Sequence, residues 1–168
     1  MKFPKKYLDA IGFLCLLALF LPLEGCGEGS CDDNGSAVPL AWFFGSGTTK
    51  QVTVGNVTVY AIGAPGDTVL VNNQSVNELS LPLRVSTDRT QWCLTFMTTD
   101  SLFVTDTLTL AYRPIEYFAS VECGAMYIFD LQQVTSTHNV IDSVLVTQPH
   151  VTNVEQVNLR IYVPTAQQ

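Results

Sequence analysis

Positive charge is scarce in this sequence. Eight Lys and Arg stand against fifteen Asp and Glu, leaving a formal charge of −7. A surface of that sign repels phosphate backbones, so no nucleic-acid partner is expected. Histidine is scarcer still, with His138 and His150 both near loop-forming stretches. Asp142 and Ser143 lie close to them, but the sequence has no nucleophile elbow of the G-x-S-x-G kind, since "GSG" at 45–47 lacks the frame. The acids follow no pattern that would nominate a glycosidase pair. "DDNG" at 32–35 has calcium-friendly oxygens but lacks the distal bidentate Glu of a calcium loop. Cys31, Cys93 and Cys123 are too scattered to start a zinc site. These absences exclude an enzyme, a metal site and a cofactor from the expected function.

Long apolar runs are also missing, with one exception. "MKFPKKYLDAIGFLCLLALFLPLEGC" has a basic start at Lys2, Lys5 and Lys6, then an apolar stretch from Ile11 to Leu21. That stretch has the length of a signal h-region and falls short of the roughly 20 residues that span a bilayer. Pro22 ends the helical run. "LEGC" at 23–26 resembles a bacterial lipobox, which implies diacylglyceryl transfer to the Cys26 thiol and cleavage before it. Glu24 departs from the small or apolar residue usual at that place. Stable attachment needs more than one acyl chain, at about 0.8 kcal/mol per buried methylene. Loss of residues 1–25 removes three lysines but only Asp9 and Glu24, so the formal charge moves from −7 to −8.

The expected organisation is therefore a signal peptide over 1–25, a flexible acidic stalk over 26–36 and one domain over 37–168. The stalk, "CGEGSCDDNGS", is Gly, Ser and acid with nothing to pack. Its interrupted acids, Glu28, Asp32 and Asp33, loosely resemble the export signal of surface-displayed Bacteroidota lipoproteins. This implies an outer-membrane location, with the cell-surface face preferred to the periplasmic one.

From Val38 onward no helical period appears. Short runs rich in Val, Thr, Leu, Phe and Tyr recur between Gly, Pro, Asn and Asp. In "QWCLTFM" (91–97), Trp92, Leu94 and Phe96 share a face; in "VNLRIYV" (157–163), Val157, Leu159, Ile161 and Val163 do. Such alternation points to antiparallel sheets with one face in a core. Nine or ten strands in this length predict an all-β fold: an immunoglobulin-like β-sandwich of antiparallel strands, with a small β-barrel as the alternative. In "VTVGNVTVY" the valines slip phase across Gly55–Asn56, which predicts a β-bulge with Gly55 suited to its geometry. Pro65–Gly66 suits the centre of a type II turn. Pro114 is expected in a turn or at an edge.

A phrase also repeats: "DTVLV" at 67–71, "DSLFV" at 100–104, "DTLTL" at 106–110 and "DSVLV" at 142–146. An Asp that caps a turn before a strand explains it without function. The phrase resembles the Asp–Ser/Thr–apolar sites of O-glycosylation in exported Bacteroidota proteins, which nominates Thr68, Ser101, Thr107 and Ser143.

With Cys15 in the signal and Cys26 lipidated, Cys31, Cys93 and Cys123 remain, an odd number for an oxidising compartment. One disulfide and one buried free thiol are expected. Cys31–Cys123 would tie the stalk to the sheet and is preferred, with Cys93–Cys123 left open.

The order of these phrases resembles a family. "LSLPLRVSTDRTQWCLTF", "DTLTLAYRPIEYFASVECGAMYIFDL", "STHNVIDSVLVTQPHVTN" and "NLRIYV" follow the two cysteines, with "ECG" at 122–124 the most telling piece. The chain resembles small uncharacterised Bacteroidota lipoproteins catalogued as domain of unknown function 6452. The resemblance implies a lipid-anchored envelope protein with a β-rich domain and no assigned activity. The expected function is a non-catalytic module that binds another envelope protein or takes part in assembly. Carbohydrate binding is the alternative, with Trp42, Trp92, Tyr112, Tyr117, Phe118 and Tyr127 as candidate stacking residues.

Overall fold

The computed structural model describes residues 37–64, 68–98, 100–120 and 124–164. Within them lie ten strands: β1 (Leu40–Gly45), β2 (Val54–Ala61), β3 (Val69–Val76), β4 (Glu78–Ser80), β5 (Arg89–Met97), β6 (Phe103–Ser120), β7 (Gly124–Ser136), β8 (Ser143–Val146), β9 (His150–Val151) and β10 (Val157–Val163). They form a six-stranded sheet ordered β3-β2-β5-β6-β7-β9 and a four-stranded sheet ordered β4-β1-β10-β8. The all-β expectation holds, as two sheets packed on one core. The six-stranded sheet is antiparallel throughout, whereas β1 and β10 pair in parallel. Purely antiparallel pairing was expected, and the parallel pair joins segments more than a hundred residues apart.

Alternation decides which side chains fill the space between the sheets. Trp92, Leu94 and Phe96 of β5 meet Val54, Val57 and Val59 of β2 and Leu108 and Leu110 of β6. From the other sheet come Ala41, Phe43, Leu159, Ile161 and Val163. Burying such side chains contributes about 1.5–3 kcal/mol each. Tyr112 reaches into this layer and meets Phe129 edge-on, with ring centroids 5.4 Å apart. Its hydroxyl donates to the Arg84 carbonyl (2.9 Å), accepts the Arg84 N–H (3.0 Å) and lies 2.7 Å from Thr90 Oγ1. That satisfied phenol pins the strandless run 81–84 to the sheet.

Two bulges carry the phase slips. Val54 opposes Val76 and Val57 opposes Gln74, so β2 holds one extra residue there. The expected bulge is present, but Asn56, not Gly55, takes the left-handed conformation, with φ 52°. Asparagine tolerates that region because its short polar side chain bonds locally. In the other sheet Asn158 is the extra residue between Leu40–Val157 and Ala41–Leu159. Its buried amide accepts the Leu40 N–H (3.0 Å) and donates to the Gln148 carbonyl (3.0 Å).

Three expectations need correction. The stretches 101–112 and 116–122, which the sequence splits at Pro114 into two strands, are the single 18-residue β6. Pro114 pairs with Phe129, but β5 has already ended opposite Ala111, so on that side β6 is locally an edge and the missing N–H leaves no gap. Asp106 does not precede a strand; it sits inside β6, with Leu94 opposite. The two-residue β9 was not foreseen. The turn at Pro65–Gly66 lies outside the described residues.

Candidate functional site

Asp106 is the most fully bonded polar side chain in the core. It has no solvent exposure. Oδ1 accepts the Thr137 hydroxyl (2.6 Å) and the Asn139 N–H (2.9 Å); Oδ2 accepts the N–H groups of Val140 (2.7 Å) and Ile141 (2.8 Å). Burial pushes this carboxyl up, but the hydrogen bonds, led by Thr137, outweigh it and hold the group below the ordinary 3.8. The carboxylate is spent on holding the segment that carries the chain from β7 to β8. Nothing reactive is left over.

A second charged group lies on the outer face of β6, β7 and β9. Asp130 pairs with His150 Nδ1 at 2.6 Å and with Arg113 at 2.8 Å. The His150 hydrogen bond, then that of Arg113, hold the Asp130 carboxyl below its ordinary value. Arg113 and His150 are exposed and Asp130 is half-buried between them, so the trio reads as a surface polar network. His138 turns its Nδ1 to the Ile141 carbonyl at 3.0 Å. The two histidines therefore serve separate local contacts. Among the described residues no group of three or more His, Cys, Asp or Glu is arranged to hold a metal ion.

Most of the aromatic candidates belong to packing. Trp92 and Tyr112 are buried in the core, and Trp42 and Tyr127 are half-buried. Tyr117 and the 67% exposed Phe118 remain on the surface. As neighbours on β6 they project to opposite faces, so they make no joint platform. The nominated modification residues are dispersed. Thr68 and Ser143 are exposed at the starts of β3 and β8, Ser101 is exposed in the β5–β6 turn with φ 60°, and Thr107 is half-buried in mid-strand. Cys26, Cys31 and Cys123 lie outside the described residues. Cys93 is a buried free thiol.

The edges of the sheets differ sharply. β4, β8 and β9 have three, four and two residues, too short to template another strand. β3 has eight, "VLVNNQSV", with no charge and no proline, and six of them are exposed. Val69 and Leu70 stand 52% and 36% exposed at one end. The sequence showed β3 as a strand, but its place at an edge depends on sheet order, which no local pattern encodes.

Residues 56–163 match the model of a family described as a family of unknown function (DUF6452). That span runs from β2 to the end of β10. No curated protein and no solved structure matches the chain.

Proposed function

We propose, for a chain that belongs to the DUF6452 family, a non-catalytic outer-envelope role as a lipid-anchored module that binds another protein. The observation that carries this reading is the β3 edge: eight residues, uncharged and free of proline, with no strand among the described residues paired along its outer side. Natural proteins blunt such edges with charge, proline or shortness. An edge left open accepts an extended segment, whose main-chain bonds give affinity and whose alternate side chains give specificity. Bulges also turn edges away, and the extra residues of β3 between Gln74 and Val71 and between Val71 and Val69 are the one guard of this kind that it carries.

The fold reads as an open sandwich rather than a closed barrel, since each sheet ends in two edge strands. Lipid attachment at Cys26 rests on "LEGC" and the basic, apolar leader before it. Carbohydrate binding is less favoured because the described aromatics offer no exposed stacking pair.

The test is a pull-down from detergent-solubilised envelope with the full chain as bait, beside a Val69→Lys, Leu70→Lys variant that puts charge on exposed positions of the edge. A protein retained by the native chain and lost by the variant is expected. Recovery of polysaccharide alone would transfer the role to glycan binding, and recovery of nothing above control would end both readings. Palmitate label that persists in Cys26→Ser would overturn the anchor.

A further inference from the structure

The outer face of the four-stranded sheet carries a cluster that the core does not use. On β1, Ala41 and Phe43 face the core, leaving Trp42 and Phe44 on the other side. On β10, Leu159, Ile161 and Val163 face the core, leaving Arg160 and Tyr162. The parallel register sets Trp42 beside Arg160 and Phe44 beside Tyr162, and the antiparallel register adds Leu145 of β8 next to Arg160. The Arg160 guanidinium carbon lies 5.0 Å from the centre of the Phe44 ring. Phe44 and Tyr162 are 5.8 Å apart between centroids.

Arg160 is half-buried, and among the described residues no ion pair includes it. Glu78 of β4 lies on the far side of Trp42 in the register and does not reach it. Arg160 Nε, Trp42 Nε1 and Ser46 Oγ are closed off from solvent with no hydrogen-bond partner, three of the five such atoms among the described residues. These three atoms are covered by the chain itself, so a docked carboxylate meets Arg160 through the terminal N–H groups of its guanidinium, which are not among the closed-off atoms. A cation held on an aromatic ring without a counter-charge is complementary to a carboxylate, which Arg binds through its planar fork while stacked.

We infer that this face docks an acidic segment of a partner protein, its carboxylate on Arg160 and its apolar side chains on Trp42, Tyr162 and Leu145. Trp, Tyr and Arg are the residue types that dominate protein–protein binding energy. The face does not suit sugar stacking, because the Phe44 and Tyr162 rings are inclined at 39° and Phe44 is buried under Arg160. The excess of acids elsewhere on the chain repels an acidic segment and confines it to this spot. The inference rests on the reading of the chain as a protein-binding module, and it uses a different surface from β3.

The test titrates the full chain in detergent, by fluorescence polarisation, with labelled peptides holding Glu or Asp beside Leu and Phe. Each has a twin with Gln or Asn in place of the acid, and an oligouronate is run alongside. Saturable binding of acidic peptides is expected, weakened about tenfold or more in the amide twins and in Arg160→Gln, and less in Arg160→Lys. Leu145→Ser, at an exposed position, is expected to weaken binding too and serves if Arg160→Gln does not fold. Equal binding of acid and amide twins overturns the proposal, as does saturation by the oligouronate alone or by no probe at all. Leu70→Lys is expected to bind like the native chain. Loss there with retention in Arg160→Gln would overturn this site and leave the β3 reading standing. A failed titration beside a successful β3-dependent pull-down separates the two in the same way.

Discussion

The carboxylate of Asp106, near the start of β6, accepts the backbone N–H of Val140 at 2.7 Å across a sequence separation of 34. With Thr137, Asn139 and Ile141 it closes a ring of donors around one buried charge. Its weight in the fold follows from what a substitution would leave. Asn can accept on one atom only, and its amide N–H₂ would face either the Val140 and Ile141 N–H groups or that of Asn139. Asp106→Asn is expected to cost about 3 kcal/mol, read as a drop in thermal midpoint. The folded-state pKa is depressed, so the contribution is whole above the ordinary carboxylate value and is lost as pH falls through the depressed one. Native stability should therefore fall in acid below roughly pH 4, and the variant should show a shallower slope there. Equal slopes would remove Asp106 from this role.

Asp130 is depressed in the same direction and should matter far less. Its partners Arg113 and His150 have side-chain exposures of 66% and 54%. Exposed pairs of this kind contribute about 0–1 kcal/mol, and salt screens them. Arg113→Gln and His150→Gln are each expected to shift stability by less than about 1 kcal/mol, with the difference shrinking in high salt. A large loss in either variant would show the outer face of β6, β7 and β9 to be structural.

The register also limits the cysteines. Cys93 stands opposite Thr107, and β6 continues from Thr107 to Ser120, while Cys123 lies outside the described residues. Thirteen residues of strand at about 3.3 Å each separate the register position of Cys93 from Ser120, far beyond the ~7 Å limit between bridged Cα atoms. That separation counts against Cys93–Cys123 and in favour of Cys31–Cys123 as the proposed pairing. At the other end of the tether, the Ala37 N–H binds the Tyr127 carbonyl at 2.8 Å, four residues after Cys123. Oxidised, lipidated protein is expected to show no thiol to alkylating reagent while folded and one, Cys93, once denatured. Three thiols on denaturation would refute the pairing.

How far the sequence can be read depends on where the information lies. β10 is legible in its bounds, because "VNLRIYV" reads as an alternating strand, but the bulge at Asn158 that interrupts the alternation between Val157 and Leu159 is not. The β2 bulge is legible as a phase slip, though which residue takes positive φ is not, since Gly and Asn both tolerate it. Pro114 misleads because strand breakage by proline depends on which side has a neighbour, and β5 ends just in time. Asp106 looks like a turn cap until Thr137–Ile141 arrives from thirty residues away. The candidate surfaces are the least legible. Alternation separates Trp42 from Phe43, but only the pairing of β1 with β10 puts Arg160 beside Trp42. The open edge of β3 likewise exists only once the order of strands is known.

That same distinction between strand entry and strand interior sorts the four Asp–Ser/Thr positions for O-glycosylation. Thr107 is half-buried, its N–H bonded to Thr137 Oγ1 at 2.9 Å and its carbonyl accepting the Thr137 N–H at 3.1 Å. Half-buried and flanked by paired strands on both sides, its hydroxyl is the least accessible of the four. Ser101 is exposed but held in a left-handed turn, its N–H bonded to the Thr98 carbonyl at 2.9 Å. Thr68 and Ser143 are exposed at the mouths of edge strands, and Ser143 opens the short β8. Intact-mass measurement of the chain purified from its own envelope is expected to show a glycan increment that Ser143→Ala or Thr68→Ala reduces and Thr107→Ala leaves unchanged. Glycan found on Thr107 would mean that modification precedes folding, and an unmodified mass would return all four residues to their plain role at the ends and middles of strands.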